Sequence, residues 1–170
     1  TVTPTPTATP SAAPVMVTLG GAEDTRLYKY ADWLNYCNED SVKVGDKQRH
    51  NGMVRFDVSS IPADAEVISA TLQMYSIAWG GTDLSVEAYY ITRTVDVCQS
   101  TWSVASSGNA WGTGGCNSVA TDRRGVPESA VATEGLQLWY AWPLTSVVQG
   151  WVSGALANNG VLLRGASSSL

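Results

Sequence analysis

The chain of 170 residues is long enough for one domain and a tail, and its 15 acidic residues against 10 basic ones give a formal charge of -5. Lys and Arg form no cluster that could follow a phosphate backbone, and no apolar run approaches the roughly 20 residues of a membrane-spanning helix, so we expect neither nucleic acid binding nor membrane insertion. Seven Trp and seven Tyr stand beside many Gly, Ser, Thr and Val residues. This composition is typical of a β-rich extracellular or cell-surface protein.

The first 14 residues alternate Thr with Pro, in the run TVTPTPTATPSAAP. Pro fixes φ and lacks a backbone N–H, so the run predicts an extended polyproline II tail that spans on the order of 40 Å at about 3.1 Å per residue. The hydroxyls lie between Pro and Ala, as in O-glycosylated stalks. Candidates for O-glycosylation are Thr1, Thr3, Thr5, Thr7 and Thr9, and an undecorated linker is the alternative.

From Val15 onward, short apolar runs are separated by turn residues. They predict eight strands, at 15–19, 25–30, 41–44, 53–58, 67–77, 84–91, 136–142 and 161–163. A single short helix is predicted at 145–152, because Thr145 can cap its start and Gly154 can end it. Together these elements predict an all-β antiparallel sandwich or barrel. The side chains expected in its core include Ile68, Ala70, Leu72, Met74, Trp139 and Trp151.

Between 91 and 136 lies a long segment rich in Ser, Gly, Asn and Trp, which we call the insertion. A connection of this length is expected to be either a functional loop or an inserted segment. Exposed aromatic rings can stack on sugars while neighbouring amides bind the hydroxyls, so the segment suggests a carbohydrate site. Its candidate residues are Trp102, Trp111, Gln99 and Asn109, with Trp79 from an earlier loop. The alternative is that Trp102 and Trp111 anchor the insertion on the sandwich.

Three cysteines are present, Cys37, Cys98 and Cys116. We expect a disulfide between Cys98 and Cys116, because these two bracket a loop that would gain from being closed. Three buried free thiols are the alternative, and an unpaired Cys37 could also link two chains.

Candidate catalytic and metal-binding groups are few. The lone His50 lies between Arg49 and Asn51 and is expected on the surface in a polar turn, without a partner for nucleophilic catalysis. A set of carboxylates lies near the ends of predicted strands, where it could form a glycosidase pair or bind calcium, although no EF-hand spacing is present. The set comprises Glu23, Asp24, Glu39, Asp40 and Asp46. We expect no enzyme activity and no cofactor, with calcium as the only ion left open.

Three stretches resemble a DNRLRE-type domain, the family of disaggregatase-related repeats and some carbohydrate-binding modules. They are MVRFDVSSIPADAEVISATLQMY (53–75), STWSVASSGNAWGTGG (100–115) and PLTSVVQGWVSGALANNGVLLRG (143–165). The resemblance covers about residues 15–165 and implies a jelly-roll-like sandwich, found on extracellular proteins as an accessory module. Two departures are Pro143, where the family usually has Asp, and an end at Leu170, which is one strand earlier than the family pattern.

A sandwich that lacks a strand exposes unpaired backbone groups, which favours pairing with another chain. The predicted donor is the alternating segment Val15, Met16, Val17, Thr18 and Leu19. We therefore predict a non-catalytic structural or adhesive module, at 15–170, that assembles into a surface filament through this segment. One alternative is that 15–19 is the first strand of its own domain, and another is that the native chain extends past Leu170. The alternative function is a carbohydrate-binding accessory module of a larger secreted protein that acts on polysaccharide.

Overall fold

The computed structural model describes residues 13–166, so the five Thr residues proposed for O-glycosylation lie outside the described part of the chain. Within it, strands and one helix follow in the order β1 Glu23–Tyr28, β2 His50–Arg55, β3 Thr71–Tyr75, β4 Leu84–Tyr90, β5 Val104–Ser106, β6 Asn109–Ala110, β7 Ser129–Thr133, β8 Trp139–Pro143, α1 Thr145–Val152 and β9 Val161–Gly165. The expectation of an all-β chain with antiparallel sheets and one short helix is confirmed.

The main sheet has five antiparallel strands in the order β1-β2-β9-β4-β7. The last strand among residues 13–166, β9, lies at its centre, where Leu162 pairs with Met53 on one side and Tyr89 on the other. Both neighbours come from much earlier in the sequence. The centre of the sheet therefore forms only when distant parts of the chain have come together.

Both faces of this sheet are covered. On the first face, Val161 and Leu163 contact a core that includes Leu72 of β3 and Trp142 of β8. On the second face, Leu162 contacts a separate core supplied by the insertion. Because successive side chains of a strand point to opposite faces, β9 contributes to both cores, which explains why it is almost entirely apolar.

The helix α1 has the predicted bounds and closes one end of the first core, into which Val147 and Trp151 are buried. Its start has no side-chain cap, and the chain leaves it through Gly154, which has φ of +73°. Such a left-handed position favours glycine. The side-chain oxygen of Gln149, on α1, accepts a hydrogen bond from the backbone N–H of Val67 at 2.7 Å.

Within residues 13–166, the second layer contains the pair β3 and β8. The segments 15–19 and 41–44, both predicted as strands, form none there. Val42 and Val44 instead pack over Gly52 of β2. The strand predicted over 67–77 is shortened to Thr71–Tyr75. Ile68, expected in the core, precedes it and is exposed, whereas Leu72 is buried as expected.

Candidate functional site: an exposed aromatic face

The most prominent surface feature among the described residues lies on the outer side of β3 and β8. Tyr75 pairs with Trp139 across the two strands, and their ring centroids are 5.3 Å apart at an angle of 53°. Tyr75 is 45% exposed and Trp139 is 67% exposed. Alternation explains this placement, since Leu72 and Trp142 point inward to the core and leave their neighbours outside. The expectation that Trp139 belongs to the core is therefore wrong.

Two amide side chains flank this aromatic pair. Gln73 precedes Tyr75 by two residues on β3, so alternation directs its side chain outward, whereas Gln137 lies in the turn before β8, two residues from Trp139. Both are exposed. We call the surface formed by Gln73, Tyr75, Gln137 and Trp139 the aromatic face.

The turn that leads into β8 is held firmly. The N–H of Gln137 donates to the carbonyl of Ser76 at 2.7 Å, and Gln137 itself has φ of +60°, which is uncommon for a residue with a side chain. The hydroxyl of Tyr140 accepts hydrogen bonds from the N–H groups of Glu134 and Gly135. These contacts hold the aromatic face in one geometry, which lowers the entropy lost on binding.

Further large exposed side chains lie on the segments that follow β3 and precede β8. The set contains Ile77, Trp79, Leu136 and Leu138, each exposed by 41% or more. Trp79, one of the sugar-binding candidates from the sequence, is thus exposed, on the loop that follows β3. Exposed apolar patches that are rimmed by polar side chains mark ligand-binding or interaction sites.

The two insertion tryptophans occupy a different place from the one expected. Trp111 is only 6% exposed, and its Nε1 donates to the carbonyl of Thr101 at 2.9 Å. Trp102 is partly buried over Gly114 and Gly115, where any Cβ would come within 2.6 Å of its ring. The expected platform of Trp111 and Trp102 is wrong, and the alternative, that these rings anchor the insertion, is confirmed.

The polar candidates of the insertion are also engaged in its own structure. The Gln99 side-chain oxygen accepts from the N–H of Ser107 at 3.0 Å, and that of Asn109 accepts from the Arg93 guanidinium at 3.1 Å. The aromatic face, which sequence reasoning missed, lies on the opposite side of the main sheet.

The disulfide joins Cys37 to Cys98, and Cys116 is a buried free thiol, so the expected pairing of Cys98 with Cys116 is wrong. The reason is that the 31–40 loop lies against the start of the insertion, where the Asn35 amide donates to the carbonyls of Val97 and Ser100. Cys116 instead turns into the second core. A disulfide of this kind is typical of an oxidising compartment.

Asp122 accepts hydrogen bonds from several parts of the insertion, although nothing in the neighbouring sequence indicates this role. Its carboxylate is fully buried and accepts from the N–H groups of Gly112, Thr113 and Ser118 and from the Arg93 guanidinium at 2.8 Å. Burial raises the pKa of such a group, but these donors outweigh it and hold the pKa of Asp122 below its ordinary value. An ionised Asp122 therefore holds the loop together at neutral pH.

His50 is buried in β2 with 4% exposure, which corrects its expected place in a surface turn. It stacks on Tyr28 with ring centroids 4.3 Å apart. Burial, with the nearby charges of Lys43 and Arg26, lowers the pKa of His50 from 6.5 to about 4. The imidazole is neutral at pH 7 and serves as a packing group in the sheet.

The acidic candidates are dispersed. Glu23 forms an ion pair with Arg55, and Glu39 forms one with Arg26 at 2.8 Å. Asp46 lies 3.7 Å from Arg49. Between residues 13 and 166 no three His, Cys, Asp or Glu side chains converge as a metal site would require, and no helix there is long and apolar enough to cross a membrane.

Comparison with known proteins yields no match, either in a scan against protein-family models or in a search of curated proteins. The functional argument therefore starts from the geometry of the aromatic face.

Proposed function

We propose that this chain is a non-catalytic binding module of an extracellular protein and that its aromatic face holds a polysaccharide. The observation that carries the proposal is the exposed cross-strand pair Tyr75 and Trp139, flanked by an amide on β3 and an amide in the turn before β8. Aromatic rings stack on the apolar faces of sugar rings, and amides donate to and accept from the hydroxyls. Exposed apolar patches rimmed by polar side chains mark ligand-binding sites.

The geometry also favours a type of polysaccharide. The two rings are tilted by 53°, so one flat crystalline surface cannot lie parallel to both. A single twisted polysaccharide chain can follow the tilt, with neighbouring sugars on different rings. The formal charge of -5 disfavours a polyanion, so a neutral soluble glycan fits the face best.

The absence of catalysis is part of the proposal. Two carboxylates near strand ends, Glu23 and Glu39, are already paired with arginines, and the single histidine is buried against Tyr28. A glycosidase needs two carboxyl groups facing one sugar. Glu23 and Glu39 are instead held by arginines at other parts of the sandwich.

We further propose that the sandwich is a jelly-roll-like domain of the DNRLRE type. The motifs that suggested this family lie at the end of β2, at the turn that follows it, and on α1 and β9. Arg55 ends β2, Asp57 accepts from the N–H of Ser59 at the following turn, and α1 leads through a short loop to β9. This arrangement supports the resemblance, and the accessory role common in that family agrees with a binding face.

Affinity electrophoresis in gels containing single soluble polysaccharides tests the proposal. The wild-type chain should be retarded by at least one neutral glycan, and Trp139→Ala should lose the retardation. Trp33→Ala is the matched control, because Trp33 is 70% exposed but lies in the 31–40 loop, away from the aromatic face. Equal retardation of both variants, or none of the wild type by any glycan, would refute the proposal.

A further inference from the structure

The second layer of the sandwich has an unused edge. Along β3, the carbonyl of Ala70 accepts from the N–H of Leu144, and the N–H of Ser76 donates to the carbonyl of Leu138, each at 2.9 Å. The backbone N–H and C=O groups of the even-numbered residues of β3 therefore point toward β8. The hydrogen bonds of an antiparallel pair alternate along the strand. The backbone groups of Thr71, Gln73 and Tyr75 therefore point away from β8, and no strand in 13–166 pairs with them.

Two other strand edges are protected. The 31–40 loop lies along β1, where Tyr36 N–H donates to Thr25 Oγ1 at 3.1 Å and Arg26 pairs with Glu39. The outer edge of β8 contains Pro143, which has no N–H to donate to a further strand, and β7 contacts β8. Native sheets normally protect their edges in such ways, whereas no strand in 13–166 does so along the open edge of β3.

The same chain contains a segment that has the alternating pattern of a strand but pairs with no strand. Residues 15–19 alternate Val15, Val17 and Leu19 with Met16 and Thr18, yet they join no sheet. Val15 is 85% exposed and Met16 is 92% exposed. Val17 is 53% exposed and Leu19 is half-buried, so most of this segment remains open to a partner.

We infer that the open edge of β3 binds residues 15–19 of a second copy as an added strand. Backbone hydrogen bonds to Thr71, Gln73 and Tyr75 provide the affinity, and burial of alternate side chains of the segment sets its register. Each copy carries one donor segment and one acceptor edge. The contact is therefore heterologous, and repetition produces a filament unless the copies close into a ring.

This assembly is independent of polysaccharide binding, because it uses the backbone edge of β3 while the sugar would use the outward side chains. The decisive variant is Gln73→Pro, which removes an N–H that points to the open edge and leaves the ladder with β8 intact. Gln73→Ala keeps that N–H and is the matched control.

Sedimentation velocity of the full chain over a hundredfold concentration range measures the result, with circular dichroism to verify folding. We expect the wild type and Gln73→Ala to form growing oligomers, and Gln73→Pro to need at least tenfold higher concentration. A wild type that stays monomeric throughout, or a Gln73→Pro that assembles normally, overturns the inference.

Donor variants give a second readout that does not depend on substitutions in β3. Val17→Asp should abolish assembly, whereas Thr18→Lys, on the opposite side of the added strand, should retain it. A synthetic peptide of residues 13–20 should block growth of wild-type oligomers. Slow amide exchange of 15–19 in a monomeric wild type would show that the segment pairs within its own chain, which refutes the second-copy partner. Trp139→Ala should assemble normally whatever it does to glycan binding.

Discussion

Replacing Asp122 by Asn should destabilise the insertion severely. One carboxylate oxygen accepts from Gly112 N–H and the Arg93 guanidinium, and the other accepts from the N–H groups of Thr113 and Ser118. Whichever way an Asn amide turns, its NH2 faces two of these donors. Each buried donor left without an acceptor costs about 1–3 kcal/mol, so we expect a loss of about 3–5 kcal/mol in the free energy of unfolding. That is a large part of the ~5–15 kcal/mol that stabilises a typical domain.

Urea unfolding at pH 7, followed by near-UV and far-UV circular dichroism, measures this loss. With an m-value of about 2 kcal/mol per molar urea, the midpoint should fall by roughly 2 M. Asp57→Asn is the control, since the exposed Asp57 carboxylate binds the N–H of Ser59 at the surface and its loss should cost little. A midpoint of Asp122→Asn within about 0.5 M of the wild type would refute the role assigned to this carboxylate. Because the aromatic face lies on the other side of the main sheet, folded Asp122→Asn should still bind glycan.

Three further predictions concern the aromatic face, the disulfide and the buried histidine. Trp139→Ala should weaken glycan binding by about 2 kcal/mol, or roughly thirtyfold, in isothermal titration calorimetry, while Trp33→Ala changes it by less than about twofold. Cys37→Ser should lower the free energy of unfolding by about 4 kcal/mol, since the disulfide closes a loop between residues 61 apart. In the wild type, Cys116 should be the single thiol that reacts with Ellman's reagent, and it should react only after unfolding. Below pH 6.5 the unfolded chain binds a proton on His50 that the folded chain excludes until about pH 4, so the free energy of unfolding should fall by up to about 3 kcal/mol through this window. His50→Gln should remove that part of the pH dependence in urea titrations at pH 7 and 4.5, and an unchanged slope would contradict the assignment.

The tryptophans illustrate how far sequence patterns reach. In the segment that becomes β8, apolar side chains occupy both alternate positions, because Trp139 and Ala141 are interleaved with Tyr140 and Trp142. Alternation predicts a strand here, but it cannot say which set faces inward. Trp111, surrounded by Gly and Ser, carries no local sign of burial, and only the contact of the insertion with the main sheet places it inside.

The cysteines show the same limit. Proximity in sequence favoured Cys98 with Cys116, since closing a short loop is simple to argue from one segment. The observed partner of Cys98 is 61 residues away, in a loop that the edge of β1 and the start of the insertion bring together. No pattern within either segment contains that information.

The sequence by itself determined the all-β class, most of the strands and the bounds of α1, because alternation and helical spacing act between neighbouring residues. It missed β5, β6 and β7, and the side-chain cap expected from Thr145 is absent. The tertiary structure decided which face of each strand is covered, which cysteines meet and that His50 is buried. These outcomes depend on contacts between segments far apart in the chain, and the same contacts leave Tyr75, Trp139 and the edge of β3 exposed.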